Sequence, residues 1–133
     1  MSVLLDTHIW IWLLTGQDAL PVEERKRLEY AAEKEVPLLS AISLWEAQML
    51  HAKGKLRLNL PFSQWLIQAT LPEVVRLAHI TPNVIFELDS LPPGFHGDPA
   101  DLIIVATALA LDAALYTHDR KIRKAGLTKL WIP

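Results

Sequence analysis

Short apolar runs alternate with longer stretches of helical spacing along the chain. Runs of three or four mostly apolar residues predict buried strands at residues 3–5, 36–39, 74–77, 114–117 and 130–132. The stretches between them predict helices at residues 7–15, 21–34, 43–52, 61–70, 81–88 and 99–111, and a short last helix that ends at Gly126. Buried strands that alternate with helices are typical of an α/β fold whose parallel sheet is covered on both faces.

Length and composition set the class of protein. The chain has 133 residues, 51% hydrophobic and 21% charged, which predicts one globular domain over residues 1–133. It contains no cysteine, which excludes a disulfide scaffold and a thiolate metal site and fits a reducing cytoplasm. The N-terminal stretch lacks a basic region, and no apolar run is long enough to span a bilayer. We therefore expect a cytoplasmic protein without a signal peptide or a membrane span.

Charge bears on possible nucleic-acid binding. With 13 basic and 15 acidic residues the net charge is −2, whereas nucleic-acid-binding domains are usually basic. RNA would therefore have to be held by a local basic patch or through bound cations. The densest basic group is formed by Arg120, Lys121, Arg123 and Lys124. These four are candidate RNA-binding residues, although cations near a helix C-terminus are also favoured by the helix dipole.

Four carboxylates stand close to the ends of the predicted strands. Asp6 ends the first strand, and Glu46 lies in the first turn of the helix after the second strand. Asp101 opens the apolar helix before the fourth strand, and Asp119 follows that strand. Because the carboxyl ends of parallel strands share one edge of the sheet, where ligands bind, we expect these acids to converge there.

Each acid also has a local explanation. Asp6 and Asp119 could cap helices, residues 43–46 match a capping box, and Asp98 before a proline is a favourable N-cap. Capping does not require that every cap be acidic, and clustered carboxylates repel one another and raise each other's pKa. A hard divalent cation such as Mg²⁺ would remove this conflict and could support in-line phosphoryl displacement. The acids together therefore predict hydrolysis of a phosphodiester.

Four segments carry these acids: LDTHIW at 5–10, SAISLWE at 40–46, HGDPAD with IIVATA at 96–101 and 103–108, and LYTHDRKI at 115–122. Taken in order, they resemble the four motifs of PIN domains, in the form common among VapC toxins of bacterial toxin–antitoxin pairs. The resemblance spans nearly the whole chain. Each motif is weak alone, but the four together, in order, are highly specific.

The resemblance implies a three-layer α/β/α PIN-like domain with a central, mostly parallel five-stranded sheet. It implies an endoribonuclease that depends on Mg²⁺ or Mn²⁺, with Asp6, Glu46, Asp101 and Asp119 as catalytic and metal-binding residues. It further implies an RNA substrate, a cognate antitoxin protein that blocks the site, and a homodimer. In one departure from the pattern, Leu102 follows the third acid where many relatives carry arginine.

Neighbouring polar residues have less specific interpretations. Thr7 and Thr117 flank the proposed acids and could orient a carboxylate, or could make only local turn bonds. Asp98 is interpreted as a helix cap whose side chain contacts the metal ligands without binding the metal itself. A solvated helix face is predicted for Glu23, Glu24, Glu29 and Glu33.

Two alternatives remain open at this point. A phosphatase with a nucleophilic Asp6 typically carries a second acid two residues later, where this chain has His8. A PIN-like domain that only binds RNA or a partner would be favoured by loss of a central acid, and all of them are present. The leucine at position 102 is the feature that keeps this second alternative open.

Overall fold

A four-stranded parallel sheet forms the centre of the computed structural model, which describes residues 1–16, 19–95 and 97–132. His96, in the third motif segment, lies outside the described residues. The strands are β1 (Val3–Leu5), β2 (Leu38–Ser40), β3 (Arg76–Ala78) and β4 (Ala114–Tyr116). They lie in the order β3-β2-β1-β4. The chain adds β2 and β3 on one side of β1 and then returns to add β4 on the other side.

Seven helices connect and follow the strands in the described part of the chain. They are α1 (Thr7–Thr15), α2 (Val22–Lys34), α3 (Ile42–Ala52), α4 (Phe62–Ala69), α5 (Pro82–Asp89), α6 (Pro99–Leu111) and α7 (Arg120–Ala125). Each of them was expected from the sequence to within about two residues at its start, which is the usual uncertainty of helix boundaries. Among the described residues, none of these helices combines the length and the apolar content that crossing a bilayer requires.

The sheet separates two hydrophobic clusters. Leu5 of β1 packs with Trp10 of α1 on one face, in a cluster that also includes residues of α2, α3 and α4. Leu4 and Leu115 pack with Ile104 of α6 on the other face. Neighbouring residues of one strand thus point to opposite faces, as the pleat requires. The arrangement confirms the predicted α/β fold with helices on both sides of the sheet.

The fifth strand expected at residues 130–132 is reduced to a single bridge. The Leu115 N–H donates to the carbonyl of Lys129 at 2.8 Å, and the Trp131 N–H donates to the carbonyl of Leu115 at 2.9 Å. Leu130 therefore pairs in parallel with one residue of β4, which itself is only three residues long. The described residues form four strands rather than five because this pairing does not extend beyond Leu115.

The edge strand β3 begins two residues later than expected. After α4, the N–H groups of Val74 and Val75 both donate to the carbonyl of Leu71, at 2.8 and 3.1 Å. This turn takes the two valines out of the sheet, and Arg76 makes the first ladder bond by donating to the carbonyl of Pro37 at 2.9 Å. Apolar character alone did not reveal which of these residues would pair.

Helix α2 is attached to the end of α1 by one side chain. The Arg25 guanidinium donates to the carbonyls of Leu13 and Trp12 at 2.8 and 3.1 Å. A cation is favourable at this end of a helix. The Trp12 carbonyl also accepts from the Gly16 N–H at 3.1 Å. The contact fixes α2 beside α1, whose first residue follows Asp6.

The buried indole of Trp10 yields a test of the packing. Its Nε1 donates to the carbonyl of Ala69 at 3.0 Å, and its ring centroid lies 5.2 Å from that of Trp65. Trp10→Phe should lower the free energy of unfolding by about 1–3 kcal/mol, because the carbonyl is left without its donor. Trp45→Phe, at a residue that is 48% exposed, is the matched control and should change it by about 0.5 kcal/mol or less. Urea denaturation measures both, and equal losses would contradict this account of the core.

Candidate metal centre

Three carboxylates meet where α3 and α6 begin. Glu46 lies near the start of α3, and Asp98 and Asp101 lie at the N-terminus of α6. One oxygen from each lies within 4.8 Å of the others. Asp98 also caps α6, since its Oδ1 accepts from the Asp101 N–H at 2.9 Å. The capping interpretation of Asp98 is therefore correct, and the same residue also brings an oxygen into the group.

Asp6 lies between β1 and α1 and is 3% exposed. Its Oδ1 accepts from the Thr7 N–H at 2.7 Å, as expected of an N-cap. Its Oδ2 accepts from the hydroxyl of Thr117 at 2.6 Å, a bond that joins the ends of the neighbouring strands β1 and β4. Both oxygens are thus held in place by groups from two elements.

A second hydroxyl connects Glu46 to α1. The Thr7 hydroxyl donates to Glu46 Oε1 and lies 2.7 Å from the hydroxyl of Ser43. Because a hydroxyl has one proton, Thr7 accepts from Ser43 when it donates to Glu46. The expected capping box at residues 43–46 is wrong: α3 begins at Ile42, and its cap makes no side-chain bond. Ser43 is fully buried, and the sequence interpretation missed its contact with Thr7.

Asp119 follows β4 and is not one of the three acids whose oxygens lie within 4.8 Å of one another among the described residues, but its charge raises the pKa of Asp6 and of Asp101. Its Oδ1 caps α7 by accepting from the Ile122 N–H at 3.0 Å. Its own N–H donates to the Thr117 hydroxyl at 2.9 Å. Thr117 therefore bridges the backbone of Asp119 and the carboxylate of Asp6.

These five residues, Asp6, Glu46, Asp98, Asp101 and Asp119, are called the acidic cluster below. Burial raises the pKa of Asp6 and of Glu46, and the charges of neighbouring acids add to the rise. Burial, followed by the charges of the other four acids, raises the pKa of Asp101 to about 7. The cluster is therefore an electrostatic unit in which each negative charge disfavours the next.

The donors of the acidic cluster fit a hard divalent cation. Mg²⁺ and ions like it take carboxylate oxygens, and such an ion would offset the burial and the mutual repulsion that raise these pKa values. The hydroxyls of Thr7 and Thr117 hold the carboxylates of Glu46 and Asp6 in the manner of groups that orient metal ligands. The burial of Asp6 and the short hydroxyl bonds restrict how far the carboxylates can move apart.

The basic residues named from the sequence lie on α7, which begins directly after Asp119. Arg120, Lys121, Arg123 and Lys124 are all exposed. Lys129 instead pairs at 2.9 Å with Asp112, which caps the far end of α6. The exposed cations therefore lie next to one member of the acidic cluster in sequence and remain accessible to solvent.

The sequence predicted that Glu24 lies on a solvated helix face, and for this residue the prediction is wrong. Its Oε1 accepts from the Tyr116 hydroxyl at 2.7 Å and lies 2.9 Å from Nε2 of His118. The spacing carried a signal: Leu28, the buried residue of α2, stands four residues later on the same face. Glu24 thus ties α2 to the segment that carries Thr117.

Comparison with known proteins gives concordant results. Residues 3–127 match the PIN domain. The chain is 38% identical over 122 residues to Ribonuclease VapC22 of Mycobacterium tuberculosis, a match that covers 92% of this chain and 90% of that protein.

Two solved structures share the fold. VapBC2 from Rickettsia felis, bound to a DNA fragment from their promoter, matches with a TM-score of 0.74 and 21% identity over 98% of each chain. VapBC-1 from nontypeable Haemophilus influenzae matches with a TM-score of 0.64 and 21% identity, over 98% of this chain and 97% of that one. Both likenesses extend over nearly the whole chain, so the four-stranded arrangement described above is that of a known fold.

The burial of Asp101 and the charges of the acids around it should make the metal-free protein less stable as the pH rises. The pKa of Asp101 is about 7 in the folded state against an ordinary value of 3.8, so the unfolded chain releases this proton first. The free energy of unfolding should therefore fall from about pH 4 and reach its low level above about pH 7. Melting in EDTA at about pH 5.5 and about pH 8 should show this fall, and Asp101→Asn should reduce it.

The control variant is Asp112→Asn, at the far end of the same helix. It should keep the full difference in melting temperature between the two pH values. An equal fall in Asp101→Asn and in the unsubstituted protein would contradict the assignment of this pH dependence to Asp101.

Proposed function

Because this chain belongs to the PIN domain family, we propose that it is a divalent-metal-dependent endoribonuclease and the toxin of a type II toxin–antitoxin pair. The observation that carries the proposal is the acidic cluster, with oxygens of Glu46, Asp98 and Asp101 within 4.8 Å of one another. Support for RNA as the substrate comes from the 38% identity to Ribonuclease VapC22 over most of both chains.

The proposed catalytic and metal-binding residues are Asp6, Glu46, Asp101 and Asp119. A bound Mg²⁺ or Mn²⁺ would activate the attacking water and stabilise charge that develops on the phosphodiester. The chain's own contribution is a set of carboxylates fixed before substrate arrives, since preorganised groups need not reorganise during the reaction.

The groups around the acids position them. Thr117 holds Oδ2 of Asp6 and the backbone of Asp119, and Thr7 holds Glu46 with support from Ser43. Groups that orient ligands in this way typically contribute about 10- to 100-fold to metal affinity or activity. We assign Thr7, Thr117 and Ser43 this role.

RNA binding is assigned to the exposed cations of α7. A protein with a net charge of −2 needs such a local patch, because contacts with phosphates dominate nucleic-acid affinity. Arg120, Lys121, Arg123 and Lys124 supply four cations within one short helix. They also provide positive charge that is missing at Leu102, where many relatives have arginine.

The sequence argues against a phosphatase with Asp6 as nucleophile. Such sites typically carry a second acid two residues after the nucleophile, where this chain has His8. A PIN-like domain that only binds RNA remains the second candidate, and the cleavage experiment below distinguishes it.

Cleavage of a labelled structured RNA tests the proposal. Purified protein should cut with Mg²⁺ or Mn²⁺ and not with EDTA. Asp6→Asn and Asp101→Asn should each lower the rate by more than about 100-fold, beyond the range usual for groups that only support a metal ligand.

Asp112→Asn is the control, because it changes the same residue type on α6 at the opposite end from Asp101. Its rate should stay within about twofold of the unsubstituted protein, since surface substitutions away from the site have small effects. Cutting that survives both Asp6→Asn and Asp101→Asn would overturn the assignment. Divalent ions that bind without any cutting would favour the RNA-binding alternative.

The proposed partners are a small antitoxin protein that covers the acidic cluster and a second copy of the chain, both in the cytoplasm. Support for the homodimer comes from α5, where Ile85 is 45% and Phe86 is 65% exposed. Adjacent large apolar side chains in solvent are typical of an interaction surface.

Light scattering during gel filtration should give a mass near twice the 15.0 kDa of one chain. Phe86→Asp should shift the mass toward that of a monomer, because burying an unpaired carboxylate in an interface is unfavourable. The control is Ile67→Asp on α4, which is 67% exposed and should leave the mass unchanged. A monomeric unsubstituted protein would exclude the dimer without bearing on the nuclease.

A further inference from the structure

A pocket of about 250 Å³ lies beside the acidic cluster. It is lined by Glu24, Tyr116, Thr117, Arg123, Trp131 and Ile132. We propose that it binds one base of the RNA strand next to the scissile phosphate, and that it favours bases with an exocyclic amino group over uracil. The inference rests on the proposed function for the identity of the substrate.

The position of the pocket links it to the site of cleavage. Thr117 forms part of its wall and donates through its hydroxyl to Asp6 at 2.6 Å. One side chain therefore separates the pocket from the acidic cluster. A nucleotide whose phosphate reaches the acids has its base, or its neighbour's base, within reach of this pocket.

Its size and aromatic lining suit a single base. Pockets for drug-sized ligands hold roughly 300–1,000 Å³, so this smaller volume fits one planar ring system. The half-buried ring of Trp131 packs on Tyr116, with centroids 4.8 Å apart and the planes at 60°. Tyr116 is only 2% exposed and so supports Trp131 from behind, which leaves the indole as the surface for stacking.

The charged lining suits RNA better than a basic peptide. Arg123 is exposed on α7 and lines the same pocket, so it can meet a phosphate of the bound strand. An arginine side chain from a protein could also stack on Trp131 and pair with Glu24, but Arg123 would repel it. The combination of one cation, one carboxylate and the indole of Trp131 therefore favours a nucleotide.

Glu24 provides the preference among bases. Its bonds to Tyr116 and His118 both use Oε1, and within the described part of the chain Oε2 is left for a ligand. An ionised carboxylate only accepts hydrogen bonds. Cytosine, adenine and guanine each present an amino group that can donate to it, whereas the one N–H donor on the edge of uracil lies between two carbonyl oxygens that the carboxylate repels.

The test uses nucleoside 5′-monophosphates and ¹⁵N-labelled protein in EDTA, so that no metal or cleavage is involved. The probe is the indole N–H signal of Trp131, assigned with Trp131→Phe. CMP, AMP and GMP should shift this signal and bind at least about fivefold more tightly than UMP, the low end of the discrimination expected from a base-edge contact.

Three variants separate the contributions. Glu24→Gln should shrink the preference over UMP, because an amide can donate to the uracil oxygen. Trp131→Leu should lower the affinity for each of the four nucleotides by at least about fivefold, the low end of the range expected for the loss of stacking. Glu33→Gln changes an exposed carboxylate outside the pocket, on the same helix as Glu24, and should leave the affinities unchanged. If Trp131→Leu does not fold, the proposal is still tested by whether Glu24→Gln shows a smaller preference over UMP.

Several results would overturn the proposal: no shift of the Trp131 signal, equal affinity for UMP, or the same shift and affinity with inorganic phosphate alone. A shift caused by N-acetyl-arginine amide and not by the nucleotides would mean that the pocket takes a protein side chain. Since mononucleotides have no scissile bond between nucleotides, these outcomes are independent of whether the protein cleaves RNA.

Discussion

Carboxylate oxygens of Glu46, Asp98 and Asp101 lie within 4.8 Å of one another, and Asp6 and Asp119 lie close enough to act on them. Two unit charges at about 4 Å repel by about 1 kcal/mol in water and by about 4 kcal/mol near a protein surface. Asp6 and Asp119 are brought to one edge of the sheet because they follow β1 and β4, which are adjacent parallel strands. The other three acids lie near the starts of α3 and α6. Holding the acids this close requires that other contacts, a proton or a cation offset the repulsion.

Two hydroxyls provide the most direct restraint. Thr117 bonds Asp6 and the backbone of Asp119, and Thr7 bonds Glu46 and Ser43, so each connects elements that are far apart in sequence. Helix caps contribute as well, since Asp6, Asp98 and Asp119 each accept from a backbone N–H at a helix start. The local role and the proposed chemical role of these acids therefore do not compete. The positive end of each helix dipole lies where the negative charge is needed.

The sequence allowed the acidic cluster to be predicted, because a parallel sheet brings strand ends together whatever their separation along the chain. The apolar run at residues 3–5 placed Asp6 at that edge, and β4 did the same for Asp119. Other features that depend on one distant partner were not predicted. Ser43 fits a local capping pattern, but its hydroxyl bonds Thr7, which is 36 residues away. Likewise, the charge of Glu24 suggested exposure, while its partner Tyr116 lies 92 residues further along the chain. The single bridge at Leu130 and the late start of β3 depend on backbone partners that apolar patterning does not specify.

The central claim is that the acidic cluster is a divalent-cation site. Crystals grown with Mn²⁺ and measured at a wavelength where manganese scatters anomalously test it most directly. The account predicts an anomalous peak among the oxygens of Asp6, Glu46 and Asp101, at about 2.0–2.3 Å from its ligands, the range usual for a divalent ion bound by carboxylates. A well-occupied Mn²⁺ elsewhere, with no peak among these oxygens at saturating metal and neutral pH, would contradict it.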